Sequence, residues 1–222
     1  MPRPNVVYSD FFPYHITARS NNREWFDVPL PYCFGVFSNV LLECKKRYEV
    51  KTHAFVLMNN HFHWLVTTPQ KNVGEVLRYF MTETSRGIGK KSQRINHIYG
   101  GRNHKQNIHD PIYYAHCLKY ILRNPVVAGI CDSVENYRWS SHYKHSNKIG
   151  DVSVPAEKFF LDFLPEKRSE LLNWLNEALP RELLEQCRKA ARRQRFEFKP
   201  SRRGQKKFNA SDTLPPQKVP GT

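Results

Sequence analysis

Apolar and polar residues alternate in three short stretches of this chain. YHITA at 14–18, KTHAFVLM at 51–58 and HFHWLVTT at 61–68 place apolar side chains at every second position, or in brief unbroken runs. That spacing predicts strands, half-buried or fully buried. Asn59-Asn60 separates the last two, and asparagine tolerates positive φ, so a tight hairpin turn is predicted there. Elsewhere the period lengthens. From Val28 to about Arg47 the apolar residues fall at helical spacing, and basic residues occupy the last turn, where cations are favourable. Asn72 is placed to cap a second helix reaching about Lys91, with Val73, Val76, Leu77, Phe80 and Met81 as its apolar stripe.

IYGGRNHKQNIHD, residues 98–110, breaks that helix and is the place for a fourth strand. Asp110-Pro111 then supplies an N-cap residue followed by proline at the first helical position. The third helix is predicted to run to Asn124 and stop at Pro125. The first six elements follow the βαββαβ order of a ferredoxin-like sandwich. The fold class is α+β, an antiparallel sheet with helices on one face. Beyond Ala156, AEKFFLDFL, KRSELLNWLNEAL and RELLEQCRKAARRQR read as helices with short breaks, and from Lys199 the composition is that of a disordered tail. The division is therefore 1–149 as the sandwich domain, 150–198 as a helical extension and 199–222 as a basic tail.

Charge narrows the partners. Lys and Arg number 35 against 20 Asp and Glu, a formal charge of +15, and the pI is near 9.7. Such an excess calls for an anionic partner. No long basic amphipathic helix with a broad apolar face stands out, so nucleic acid is favoured over a membrane surface. No apolar run approaches the ~20 residues of a membrane span. The N-terminal stretch has no apolar leader segment, which makes cytoplasmic the default. The five cysteines, Cys33, Cys44, Cys117, Cys131 and Cys187, are scattered without a CxxC pair. They speak against a disulfide framework or a four-cysteine zinc site.

Candidate chemistry enters with MNNHFHWLV, residues 58–66. In a strand, His61 and His63 share one face, while Phe62, Trp64 and Val66 share the other and fill a core. Two imidazoles at that spacing can converge on one ion, though a short motif alone is weak. The third helix adds to it. At 100° per residue, Tyr113, His116, Tyr120 and Asn124 form one stripe, with Ala115, Leu118 and Leu122 opposite. A phenol able to act as a nucleophile thus lies one turn from an amide able to act as an oxygen ligand.

HFH, followed by YILRNPVVAGI and then YRWSSH, resembles the single-tyrosine HUH transposases of bacterial insertion sequences. The branch it is most similar to is the REP-associated tyrosine transposases. YHITARSNN and HAFVLMNNHFHWLV share the likeness, which spans residues 8–145. The resemblance implies a metal-dependent enzyme that nicks and rejoins single-stranded or hairpin DNA through a 5′-phosphotyrosine. It assigns the metal, Mg²⁺ or Mn²⁺, to His61, His63 and Asn124, and the nucleophile to Tyr120. The amide here is asparagine where many relatives have glutamine. It leaves the working unit open between monomer and homodimer.

His116 is a candidate base or phosphate contact, and Tyr113 and Tyr114 are rival phenols. His15 and Thr17 share a face of the first strand, from which His15 would buttress the histidine pair. Arg19, Arg23, Arg86, Lys90, Lys91, Arg94, Arg102, His104 and Lys105 are candidate phosphate contacts. Trp139 and Tyr143 have rings able to stack on bases, but YRWSSH is better suited to packing on the sheet. The alternatives to a strand transferase are a non-catalytic hairpin-binding protein derived from one, and a metal-dependent hydrolase in which water attacks.

Overall fold

The segments with period-two patterning pair into one four-stranded antiparallel sheet. β1 (Tyr14–Arg19), β2 (Lys51–Leu57), β3 (His61–Thr67) and β4 (His104–Asn107) lie in the order β2-β3-β1-β4. The connections carry α1 (Leu30–Tyr48) and α2 (Val73–Gly89), and α3 (Pro111–Val127) follows β4. This is the βαββαβ arrangement of the ferredoxin-like fold with one helix added. The structure, a computed structural model, describes residues 8–101, 103–145 and 158–191. The basic tail at 199–222 lies outside them.

α1 and α2 cover one face of the sheet. Phe62, Trp64 and Val66 are fully buried there, with Phe37 and Leu41 of α1 and Phe80 and Leu77 of α2. The Trp64 indole lies 4.7 Å from the Phe80 ring, and its Nε1 donates to Thr52 Oγ1 at 3.0 Å. The sheet is not left bare behind, so helices on one face alone does not hold. Ala54, Val56 and Leu65 point to the opposite side and are buried against α3. A sheet with apolar residues on both faces needs a layer on each.

Three further helices, α4 (Lys158–Leu161), α5 (Arg168–Asn176) and α6 (Arg181–Ala190), pack on the outer side of α3. Phe160 of α4 meets Tyr114 at 4.7 Å between ring centroids. Arg123 donates to the carbonyls of Leu175 and Asn176. The buried Lys119 sits over the Trp174 ring at 4.6 Å and pairs with Glu177 at 3.7 Å. Tyr113 and Tyr120 of one stripe are therefore as buried as Leu118 and Leu122 of the other. A helix sandwiched between two layers has almost no solvent face.

Two local expectations are corrected. α3 does not stop at Pro125 but continues to Val127. A proline in the last turn forfeits one backbone bond, and a C-terminal motif closes the helix just beyond it. Gly129, at φ +69°, donates to Val126 O, and Ile130 N donates to Pro125 O, both at 3.0 Å. Asn124 consequently stays helical. At the hairpin, neither Asn59 nor Asn60 has positive φ. Their carbonyls instead accept from Phe26 N and Ser20 N of the loop after β1, which braces the turn from outside.

Other sequence readings hold. Asp110 caps α3, its Oδ1 accepting from Tyr113 N at 2.6 Å. Asn72 stands at the N-cap of α2 without a capping side-chain bond. The YRWSSH stretch lies along the outer edge of β2, with Ser140 bridged to Val56 and the Tyr137 hydroxyl donating to Leu57 O at 2.7 Å. It covers a strand edge that would otherwise expose unpaired backbone groups.

Candidate active site

The register across the sheet sets the site. Val56, His63, Thr17 and His104 form one transverse row, and Ala54, Leu65, His15 and Gln106 form the next. Arg19 lies opposite His61. His15, His61 and His63 therefore emerge on the face that α3 covers. The His61 and His63 ring centroids are 5.1 Å apart and nearly perpendicular. Tyr120 of α3 stands over them, its ring 5.6 Å from His63 and 6.1 Å from His15.

Hydrogen bonds define the tautomers. Asn60 Nδ2 donates to Arg23 O at 2.6 Å, so its Oδ1 is left to accept from His61 Nδ1 at 2.8 Å. The bare nitrogen of His61 is then Nε2. Asn124 Nδ2 donates to His63 Nε2 at 3.2 Å, which places the His63 proton on Nδ1. That proton is directed at His15 Nε2, 2.9 Å away. Both members of the pair thus carry their lone pairs on Nε2, and a second residue holds each ring by its Nδ1–H.

Burial keeps these rings uncharged. Burial alone pulls His15 down to about 4, and burial together with the Arg19 guanidinium does the same for His61. His63, 3% exposed, is held well below the ordinary value by burial and by the neighbouring His61, His15 and Arg19. Neutral imidazole is the form that ligates a metal. Burial raises the Tyr120 phenol, which is 8% exposed, while a hydrogen bond from Asn124 opposes the rise. The Asn124 amide is thus bonded to His63 and lies near enough to Tyr120 to act on its phenol. Among the described residues no group of three or more His, Cys, Asp or Glu is arranged to hold a metal. The donors that could converge on one here are two imidazoles and an amide, and Asn124 would first have to turn its Nδ2 away from His63 Nε2 and present Oδ1.

The other candidates scatter. His116 is half-buried, and after burial the influences on its pKa are Lys119 and Asp110, not the histidine cluster. Tyr113 donates to Gln106 Oε1 at 3.2 Å, and its phenol is raised far above the ordinary range by burial. Arg19 and Arg23 lie beside the His61 end of β3, and His104 projects to the same face. Lys105 projects to the opposite face, where burial lowers its pKa. Arg86, in an ion pair with Glu83 at 2.7 Å, and Lys90 belong to the helical layer behind the sheet. Lys91 lies over the Tyr32 ring at 4.9 Å, and Arg94 pairs with Glu24. Arg102 lies outside the described residues. Trp139 packs edge-on against Phe34 at 5.2 Å. Sequence reasoning missed Asn60 as the orienter of His61, although its place beside His61 at the end of a hairpin turn was a usable signal.

Paired neutral histidines on a ferredoxin-like sheet, faced by a tyrosine and an amide from a helix, make a site suited to a divalent ion beside a phenol. Comparison with known proteins bears on the fold and the family. Residues 12–114 match the model of the family described as IS200-like transposase. The match includes His61 and His63 and ends before Tyr120. A solved REP-associated tyrosine transposase, bound to a REP hairpin, shares the fold with a TM-score of 0.55 and 18% identity. The alignment covers 65% of this chain and 84% of that one. No curated protein matches the chain. The resemblance to this family read from the sequence is borne out over residues 12–114. No described helix is long and apolar enough to cross a membrane.

Proposed function

We propose that this protein nicks and rejoins single-stranded DNA at or beside a hairpin, with Tyr120 as nucleophile. The observation that carries this reading is the convergence on His63 of two α3 side chains one turn apart, the Tyr120 ring at 5.6 Å and the Asn124 amide bonded to Nε2 at 3.2 Å. It joins the donor pair to the phenol. The hairpin substrate is carried over from the solved structural relative, which is bound to one, and the basic charge of this chain suits it.

His61, His63 and Asn124 would hold the ion, Mg²⁺ or Mn²⁺. Bound there, it would neutralise a non-bridging phosphate oxygen and favour the phenolate. The chain's own residues do the rest. Asn60 and His15 fix the two rings so that each offers Nε2. Imidazole ligands suit Mn²⁺ better than Mg²⁺ on softness grounds. Tyr120 Oη attacks phosphorus, the P–O3′ bond breaks, and the phenolic proton ends on the 3′-oxygen. The 5′-phosphate stays esterified to tyrosine, and reversal by a 3′-hydroxyl rejoins the strand.

The test is incubation with labelled hairpin DNA and Mn²⁺ or Mg²⁺, followed by denaturing electrophoresis. A 5′-linked covalent adduct is expected, and Tyr120→Phe should abolish it, a loss on the order of 10⁴-fold or more for a nucleophile. An adduct that persists in Tyr120→Phe overturns the assignment. Cleavage without any adduct selects the hydrolase in which water attacks. The burial of Tyr120 and His63 favours a second reading, a hairpin-binding protein that does not cut. Tight hairpin binding with no cleavage under either ion selects it.

A further inference from the structure

We propose that Trp25 is a stacking platform for an unpaired nucleobase of the DNA strand that reaches the histidine site. The inference rests on the single-stranded DNA reading above. Trp25 is 70% exposed, whereas Trp64 is fully buried. Its loop is nevertheless held firmly. Phe26, the next residue, is buried against Phe37 and Tyr99 at centroid distances of 5.9 and 6.3 Å. Arg94 Nη2 donates to the Trp25 carbonyl and to Glu24 Oε2, both at 2.7 Å. Asn22, Arg23 and Asp27 take φ of 54°, 61° and 60°, a left-handed conformation that asparagine and aspartate tolerate and that arginine adopts only when its surroundings hold it there. A loop braced in this way keeps the indole out in solvent, beside a cleft lined by Glu24, Asp27, Val28, Pro29 and Arg94.

The loop is also coupled to the site. Ser20 N donates to Asn60 O at 2.8 Å, Phe26 N to Asn59 O at 3.2 Å, and Asn60 Nδ2 to Arg23 O at 2.6 Å. Asn60 is the residue that orients His61. Trp25 and the histidine pair are thus joined through one short turn. The surroundings decide the occupant. Arg19 and Arg23 flank the turn, and among the described residues neither has an acidic partner. Arg94 engages Glu24, and Ser92 Oγ donates to Asp27 at 3.1 Å. Arginines at the turn that holds the loop of an exposed indole fit a chain that alternates phosphate and flat aromatic base, and stacking tolerates any base.

The test uses the full chain in EDTA, so that binding is read without cleavage. Fluorescence anisotropy is measured with a hairpin bearing a short unpaired flank and with the same hairpin made blunt. Trp25→Ala should weaken binding to the flanked hairpin ~5–100-fold and leave the blunt one within ~2-fold. Trp25→Phe should restore most of the loss. A series of flanks with one abasic position each should contain one that wild type and Trp25→Ala bind equally. Unchanged affinity for the flanked probe, or an equal loss on both probes, overturns the proposal while leaving the DNA reading intact. Failure of the wild type to bind either probe overturns that reading as well.

Discussion

The two faces of the sheet are built from alternate residues of the same strands, yet they are held together in different ways. The face under α1 and α2 is an aromatic cluster. Phe62 lies 5.2 Å from Phe80, 5.6 Å from Phe37 and 6.0 Å from Phe55 between ring centroids. The face under α3 carries a chain of polar contacts, His15 to His63 to Asn124, with His53 bonded to Thr67 and Tyr113 to Gln106. The first face gains from area removed from water, which is non-directional. The second depends on each donor meeting its acceptor, because a buried polar group without one is costly. Both faces bury apolar residues, and the polar chain threaded through the α3 side is what sets that side apart.

The largest effect that would break this comparison is on folding. Phe62→Ala should cost ~3–5 kcal/mol in urea unfolding. Next door, His63→Leu should cost ~1–3 kcal/mol, chiefly because His15 and Asn124 lose a buried partner. The reverse order would mean that the polar face carries the fold.

A smaller effect separates the faces by pH. Unfolded, His15 and His61 take up protons near 6.5; folded without metal, they resist until about 4. Between those values the unfolded state binds more protons. Stability should therefore fall as pH drops from about 6.5 to about 4, by up to ~1.4 kcal/mol per pH unit for each ring, and level off below. His15→Gln should flatten the slope of urea midpoint against pH by about one proton, and an unaltered slope would contradict the assigned burial of its charge.

The smallest effect concerns charge. Arg86 is exposed on the layer behind the aromatic face and already paired. Arg86→Ala should change stability by no more than ~0.5 kcal/mol. Loss of flanked-hairpin affinity in Arg86→Ala equal to that in Arg19→Ala, measured by anisotropy, would mean that DNA contacts both sides.

The aromatic face was legible from spacing alone. Period two separates Phe62, Trp64 and Val66 from His61 and His63, and Asp110-Pro111 announces α3 in both cap and first residue. The histidine face was legible only as a list of residues. Helical spacing placed Tyr113, His116, Tyr120 and Asn124 on one stripe, but only Tyr120 and Asn124 are seen against the histidines, while Tyr113 is spent on Gln106. Spacing gives direction around an axis and says nothing of how far along that axis a neighbouring element sits. Lys105 was named for its charge, but its position in β4 turns it to the apolar side.

What the sequence by itself determined is what depends on near neighbours: the strand faces, the helix starts and the excess of positive charge. The tertiary structure decided the rest. It carried α3 through Pro125, because the Gly129 closure and the packing of α4–α6 outweigh a local preference. It chose the nitrogen each histidine offers, because Asn60, His15 and Asn124 come from a turn, a strand and a helix that only folding brings together. It left Trp25 in solvent, because its loop is braced by residues from the hairpin and from beyond α2. Local rules bear on residues a few positions apart, and these contacts join residues that are mostly tens of positions apart in the chain.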